Sequence, residues 1–527
     1  MQRIYRLIGI VLVLALMVPT ANAQQPARSY LLLGKADKLP ANLEQLVAAK
    51  GGTVNYTVPA IGLAVITSAN PNFQAEMESV VDVESVAPDI QIRYEMPGFE
   101  PATSEDSLPV SGDEDVADPL YGLQWNLDAI QAPEAWAMGA RGEGVRVAIL
   151  DDGIYADHPD LAPNLNITHS TSFVPMSLDW QYNQFWQYTD FSSLFETHAS
   201  YVTGIIAAAD NGFGIIGVAP EAEIVGVRVL TYMNGESVGM FSWLAAGIVY
   251  AANIDSDVIN MSLGGWLNKD GTCGDNVDEQ CYTKKDANEL KKLLDRATRY
   301  AHKQGAVMVA AAGNDGVDTD HNGKRYFLPA ESDKVLAISA TGPIGWGLDQ
   351  TVNLDSFAAY SNYGKSLVDF AAPGGNPALL GRDDLVCNPH PIYGSTDCDL
   401  YDSVLGPFPF PLLPEILASG TSGAAAHVSG VAALIIGQNG GEMKPKDVER
   451  ALKEGADDLG KKGADAYFGE GRVNAAASLA WLARKSKEKD VEEVEDAEST
   501  SATCAEAEWV CPEASKNVIF LGLISNR

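Results

Sequence analysis

The chain has 527 residues, 70 of them Asp or Glu against 36 Lys or Arg, for a formal net charge of −34. An acidic excess this large repels nucleic acid and anionic lipid, so neither is expected as a partner, and it favours solubility. The length accommodates one large catalytic domain with smaller accessories.

Arg3 and Arg6 lead into the apolar run Leu7 to Val18 and then Ala21-Asn-Ala23. A positive start, an apolar core and a small-residue cleavage site make residues 1–23 read as a secretory signal peptide. Read instead as an anchor helix, the run is short against the ~20 residues a span needs. No later stretch is long and apolar enough to cross a bilayer. The mature protein is expected to be soluble, monomeric and secreted, extracellular or periplasmic.

Residues 24–95 read as a small α+β unit. Tyr30–Leu33, Leu63–Ile66 and Ala87–Tyr94 are strand-like, while Leu43–Ala49 and Phe73–Val80 are helical runs. Residues 96–117 hold Pro97, Pro101 and Pro109 among acids at Glu105, Asp106, Asp113, Glu114 and Asp115, without apolar periodicity. They read as an exposed linker, easy to cut.

From 118 to 485, strand-like and helix-like runs alternate. The strands are Val145–Leu150, Ile224–Leu230, Val258–Met261, Val307–Ala311 and Val335–Ser339; the helices are Phe241–Ala252, Ala287–Lys303 and the stretch after Ser422. This alternation predicts an α/β fold, a mostly parallel sheet covered by helices on both faces. Lys446–Leu452, entered through Pro445, and Val473–Arg484 close the domain as surface helices. Two long insertions, the aromatic-rich Phe173–Phe195 and Gly375–Glu415, are candidates for cleft walls. Residues 486–527 read as a charged linker and a tail ending in the apolar Val518–Ile524, either a packed strand or an attachment tag. Six cysteines fall as near neighbours, Cys273/Cys281, Cys387/Cys398 and Cys504/Cys511, which favours disulfides over zinc ligation and leaves their connectivity open.

Three short runs carry the chemistry: Val147-Ala-Ile-Leu-Asp-Asp-Gly153, His198-Ala-Ser-Tyr-Val-Thr-Gly204 and Gly420-Thr-Ser-Gly-Ala-Ala-Ala-His427. Asp151 ends an apolar β-type run, at the carboxyl end of a strand, where open α/β sheets keep their sites. His198 stands at a helix start. Ser422 begins a small-residue helix, whose free N–H groups and positive dipole end favour nearby negative charge. A serine hydroxyl is a weak nucleophile that needs a base, and the base needs an orienting acid. The other histidines are weaker candidates. His158, His169, His302, His321 and His390 lie in polar or loop settings and read as surface residues, and His427, inside the serine helix, as a packing histidine.

The order Asp…His…Ser is that of subtilisin, and from Asp118 to about Arg484 the chain resembles the subtilisin-like serine peptidases. Val309-Ala-Ala-Ala-Gly-Asn-Asp315 resembles the segment that carries the oxyanion asparagine, and Asn260-Met-Ser-Leu-Gly-Gly265 the one that lines the substrate cleft. Ala219-Pro220, Tyr360-Ser-Asn-Tyr-Gly364, Phe370-Ala-Ala-Pro-Gly374 and Gly469-Glu-Gly471 match further landmarks in the expected order. The resemblance implies a serine endopeptidase acting on protein or peptide substrates. Ser422 would be its nucleophile, His198 its base, Asp151 the orienting acid and Asn314 an oxyanion donor. Ser262, Leu263, Gly264 and Gly265 would form one wall of the substrate site, and Ala312, Gly313 and Asp315 the other. These small residues predict a wide apolar slot for large apolar or aromatic side chains, with Asp315 at the rim giving some tolerance of Lys or Arg. Residues 24–95 resemble the family's propeptide, an intramolecular inhibitor and chaperone, which implies a zymogen.

The chain departs from the family pattern at Asp152, at His198-Ala-Ser-Tyr201 and at Gly423-Ala-Ala-Ala426, without losing a catalytic group. Asp-Asp-Gly occurs in the kexin-like branch, whose serine and histidine motifs are otherwise missing here. Strand alternation turns Asp152 away from His198 and predicts a structural role. Asp160 and Asn211 match ligands of the family's calcium site, with Asp118 as the N-terminal ligand, and oxygen-rich loops suit that hard cation. Asp318-x-Asp320-x-Asn322-Gly323 superficially resembles an EF-hand loop, but Pro329 stands where the final Glu belongs, so a polar turn is the first reading. Two other functions stay open: a peptide ligase or cyclase on the same fold, and a non-catalytic binding protein on a peptidase scaffold.

Overall fold

The computed structural model describes residues 26–94, 98–101, 118–175, 198–233, 236–272, 281–379, 385, 398–410 and 413–486. The signal sequence, the aromatic-rich segment after 175, most of the linker and the tail beyond 486 lie outside the described residues. So do Cys273, Cys387, Cys504 and Cys511; Cys281 and Cys398 are each disulfide-bonded.

The N-terminal unit runs β1 (Arg28–Gly34), α1 (Leu43–Ala49), β2 (Gly52–Val58), β3 (Leu63–Ser68), α2 (Phe73–Glu78) and β4 (Val83–Pro88). Its antiparallel sheet has the order β2-β3-β1-β4. Strand β2 carries a polar edge pattern, alternately exposed, and its apolar signal is too thin to read from sequence. On β1 the side chains divide by alternation: Tyr30 and Leu32 pack with Phe73 and Met77 of the unit's own helix, while Leu31 and Leu33 face the larger domain. Each such buried Leu stabilises the pairing by ~1.5–3 kcal/mol.

Two short strands follow. β5 (Gln91–Tyr94) and β6 (Gly98–Pro101) both pair with the larger domain. Residues 98–101 were expected in an exposed linker. Their flanking prolines break periodicity, but an edge strand tolerates proline, so backbone pairing succeeds where no side-chain pattern announces it.

In the larger domain β7 (Arg146–Asp151), β8 (Thr171–Ser172), α3 (His198–Ala207), β9 (Glu223–Arg228), β10 (Glu236–Met240), α4 (Phe241–Asn253), β11 (Val258–Met261), β12 (Gly265–Asn268) and α5 (Lys284–Gln304) come first. Then follow β13 (Val307–Ala311), β14 (Arg325–Leu328), β15 (Val335–Gly342), β16 (Ser356–Phe357), β17 (Phe370–Pro373), β18 (Val404–Phe410), β19 (Leu413–Ser419), α6 (Thr421–Gln438) and α7 (Pro445–Gly455). Residues 475–486 form a last helix. The 8-stranded sheet runs β16-β15-β13-β11-β7-β9-β8, with β17 on β15, and every pair but β15–β16 is parallel. Val147 and Ile149 pack with α3 and α6, whereas Ala148 and Leu150 pack with α4 and α5 on the opposite face. Both faces are buried, which is why the strands read as unbroken apolar runs.

Helix α5 binds the N-terminal unit through charge as well as shape. The nearly buried Arg296 guanidinium pairs with Glu84 and Asp37 and donates to the Gly34 carbonyl at 3.1 Å. Lys285 pairs with Glu78 at 2.6 Å, and Lys292 with Glu84.

Candidate active site

Strand order reverses around β7 and β11, and the site forms beyond their carboxyl ends, as doubly wound sheets dictate. Asp151 is the last residue of β7 and falls, by alternation, on the face shared with α3 and α6. His198 opens α3. Its Nδ1 lies 2.9 and 2.8 Å from the two Asp151 carboxylate oxygens, and both residues are buried. Asp152 does not turn away as strand alternation predicted, because β7 ends at Asp151: its Oδ1 accepts the Ala199 N–H at 2.9 Å, a structural contact at the helix end that presents His198. The departures after His198 are also accounted for. Ser200 Oγ accepts the Tyr155 N–H, and Tyr201 Oη donates to the Ala418 carbonyl on β19.

Ser422 is the second residue of α6. Its Oγ donates to the Ser262 carbonyl at 3.0 Å, and the Ser262 hydroxyl donates back to the Ser422 carbonyl at 2.8 Å. A chain from Ser429 through Asn260 to Ser262 holds this arrangement. The structure thus joins Asp151 and His198 directly, while the serine hydroxyl donates to the Ser262 carbonyl; the bond from a catalytic serine to its base often tightens only with substrate. Asn314 is oriented without ambiguity. Its Oδ1 accepts from both the Thr421 N–H and hydroxyl at 2.9 Å, so Nδ2 must face the other way. Thr421 Oγ1 in turn accepts the Gly313 N–H at 3.0 Å. Gly313 has φ of 100°, and a Cβ there would strike Asn362 and Phe327, so only glycine serves.

Two walls border the cleft, and the chain's own residues lie between them. β5 pairs antiparallel with β10, matching Ile92 with Gly239 and Tyr94 with Ser237. A Cβ at Gly265 would collide with Ile92, which places the segment against the Ser262–Gly265 wall as well. Across the site β6 pairs with β19, Gly98 opposite Ser419 and Phe99 opposite Ala418, next to Gly420-Thr421-Ser422.

The wide slot expected between Gly264 and Gly313 is a correction. A Cβ added at either glycine would hit the buried ring of Phe327, which packs edge-on to Trp266 at 4.9 Å. Phe327 comes from β14, paired to β12, and no local pattern ties it to the pocket. Asp315 is also less available than expected, because its Oδ2 accepts from Trp266 Nε1 at 2.8 Å and Asn362 Nδ2 at 3.1 Å.

Away from the cleft, Asp118, Asp160 and Asn211 meet. Asp118 Oδ1 accepts three backbone N–H groups, of Asn211, Gly212 and Phe213, and Asp160 Oδ2 accepts that of Ile215. Asn211 accepts the Phe213 N–H and donates to the Pro159 carbonyl. Asp118 Oδ2 and Asp160 Oδ1 are buried without a partner. Burial raises Asp118 to about 6 and Asp160 to about 8, the latter also through repulsion from Asp118. The Asp318–Gly323 loop behaves as a polar turn: Asp320 accepts from Ser366 and from the Lys365 and Ser366 N–H groups, and Asp318 bonds His321.

His158 was expected at the surface and is buried instead, its Nδ1 accepting the Asp160 N–H at 3.2 Å in a loop whose polarity hid the packing. His169 and His302 are half-buried, His321 is exposed and His390 lies outside the described residues. His427 is a packing histidine. It is fully buried, Nδ1 donating to the Gly423 carbonyl and Nε2 accepting from Asn126 Nδ2, both at 2.8 Å. Burial pushes it down to about 4. Above the ordinary value near 6.5 it is neutral folded or unfolded and has no effect. Below that value the unfolded chain takes up a proton that the native state refuses until about pH 4, so stability falls across this window, by up to roughly 3 kcal/mol. His427→Gln should flatten the dependence of melting temperature on pH between 6.5 and 4, measured in excess calcium; an unchanged slope would remove His427 from the account.

An Asp–His pair, a helix-borne serine and an oriented amide on a doubly wound sheet define a serine hydrolase. Residues 142–471 match the model of the subtilase family, peptidase S8. Thermitase of Thermoactinomyces vulgaris is 31% identical over 363 residues, 68% of this chain and 96% of that protein. Subtilisin BL of Lederbergia lenta is 31% identical over 356 residues, 68% and 98% of the two chains. The solved epidermin leader peptide processing serine protease of Staphylococcus aureus superposes with a TM-score of 0.63 at 23% identity, covering 86% of this chain and 98% of that one. The chain belongs to the subtilase family and is a serine endopeptidase of subtilisin-like fold that acts on proteins or peptides.

Proposed function

We propose that the chain is a secreted subtilase made as a self-inhibited precursor: signal peptide 1–23, propeptide 24–95, linker 96–117, catalytic domain 118–485 and tail 486–527. The observation that carries this reading is the placement of residues 91–94 and 98–101, which pair as two short strands with β10 and β19, on the two sides of the catalytic residues, as a bound substrate would. Maturation would cut the chain between Tyr94 and Gly98, and the released unit, still held by Arg296, Lys285 and Lys292, would stay as an inhibitor until degraded.

In the chemistry proposed, Ser422 Oγ attacks the peptide carbonyl as His198 Nε2 takes its proton. Asp151 holds the imidazole tautomer and stabilises its charge. Asn314 Nδ2 and the Ser422 N–H stabilise the oxyanion. The imidazolium returns the proton to the leaving amine, and water releases the acyl-enzyme by the same route. Asp118, Asp160 and Asn211 would hold a calcium ion. The unpartnered buried oxygens of Asp118 and Asp160 fit a hard cation, which would supply structural neutralisation rather than chemistry.

With Phe327 under the slot, small and medium apolar side chains should be preferred before the cut, over aromatic or basic ones. Profiling the mature enzyme on a positional peptide library tests this. Phe327→Ala should shift preference toward Phe and Tyr by about tenfold or more. A parent already selective for aromatic or for paired basic residues would show the pocket misread.

A further inference from the structure

The buried group at Asp118 and Asp160 has a third carboxylate that no family motif announced. Glu415 lies on β19, the strand that leads through Ser419 to the nucleophile, and is only 1% exposed. Both of its carboxylate oxygens are buried without a hydrogen-bond partner. Gly214 shows where they point: a Cβ there would strike Asp160 Oδ2 and Glu415 Oε1 together, so the two carboxylates face each other across a glycine that leaves them room. Among the described residues no Lys, Arg or His pairs with Asp118, Asp160 or Glu415. Two buried acids that face each other, Asp160 and Glu415, with Asp118 beside Asp160, are sustained either by shared protons or by a cation. The donor set is oxygen only and triply negative, which suits a divalent hard cation.

We propose that Glu415 is a ligand of the calcium ion assigned above to Asp118, Asp160 and Asn211, so that the ion ties β19 to the N-terminal segment and to the Asp160 loop. This rests on the calcium reading. Among the described residues no three acidic, imidazole or thiol side chains are already gathered as a finished metal cluster. As a ligand, Glu415 makes calcium a brace on the strand whose Ala418 and Ser419 form the far wall of the cleft.

The test uses the full chain carrying Ser422→Ala, so that it stays intact, stripped with EDTA and titrated with calcium chloride by calorimetry. Glu415→Gln should weaken binding by at least the about tenfold that even outer-shell partners of a metal cost. It should also change sign in melting temperature: lower than the parent in excess calcium, equal or higher in EDTA, where a buried charge has been removed. Glu415→Asp keeps the charge but shortens the reach, and should lose affinity too, which covers a glutamine variant that fails to fold. Unchanged affinity in both variants would overturn the proposal, as would an equal loss of melting temperature with and without calcium, the mark of a shared proton. A parent that binds no calcium would instead defeat the calcium reading itself.

Discussion

Ser422→Ala is expected to cut proteolysis by a factor on the order of 10⁶ and to leave the precursor in one piece. The hydroxyl is the sole nucleophile proposed, and the same site is proposed to cut the chain between Tyr94 and Gly98. Stability should change little. The substitution removes one hydrogen bond to the Ser262 carbonyl, worth about 1 kcal/mol, and opens no sizeable cavity. Intact-mass analysis of the purified variant beside the parent reads both effects. A variant processed normally with no other protease present would refute self-maturation, while residual peptidase activity near the parent's would refute the nucleophile.

Asn314→Leu should lower kcat by roughly 10²–10³ and leave KM nearly unchanged, because its Nδ2 is proposed to act only on the charge that develops in the transition state. Its Oδ1 has a second task, holding Thr421 at the start of α6. A control is therefore required. Asn314→Asp keeps that acceptor but replaces the donor with a negative charge, and should be at least as damaged. If the aspartate variant were active and the leucine variant dead, Asn314 would be a prop for the helix rather than an oxyanion donor.

Much of this was legible in sequence because its cause is local. Val147 to Leu150 reads as a strand since both its faces are buried, and Asp151 interrupts that run at its carboxyl end. Small residues mark α6 because it packs in the centre of the domain, where every residue from Thr421 to Ile436 is buried. Arrangements that depend on a partner distant in the chain gave no such signal. The strand at 98–101 exists only because β19 offers it an edge. His158 is buried only because the loop around it folds inward.

The sequence alone determined the subtilisin-like α/β fold, since the period of burial along each segment selects strand or helix and ordered motifs then fix their arrangement. It also supplied the candidate residues Asp151, His198, Ser422 and Asn314, whose neighbours in the chain carry their signatures. Tertiary structure alone decided what fills the spaces between segments. Phe327 enters the pocket from β14, and Glu415 reaches Asp160 from β19 across some 250 residues of chain. The physical reason is that packing is a property of surfaces brought together, and a side chain at the far end of such a contact leaves no periodic trace in its own stretch of sequence.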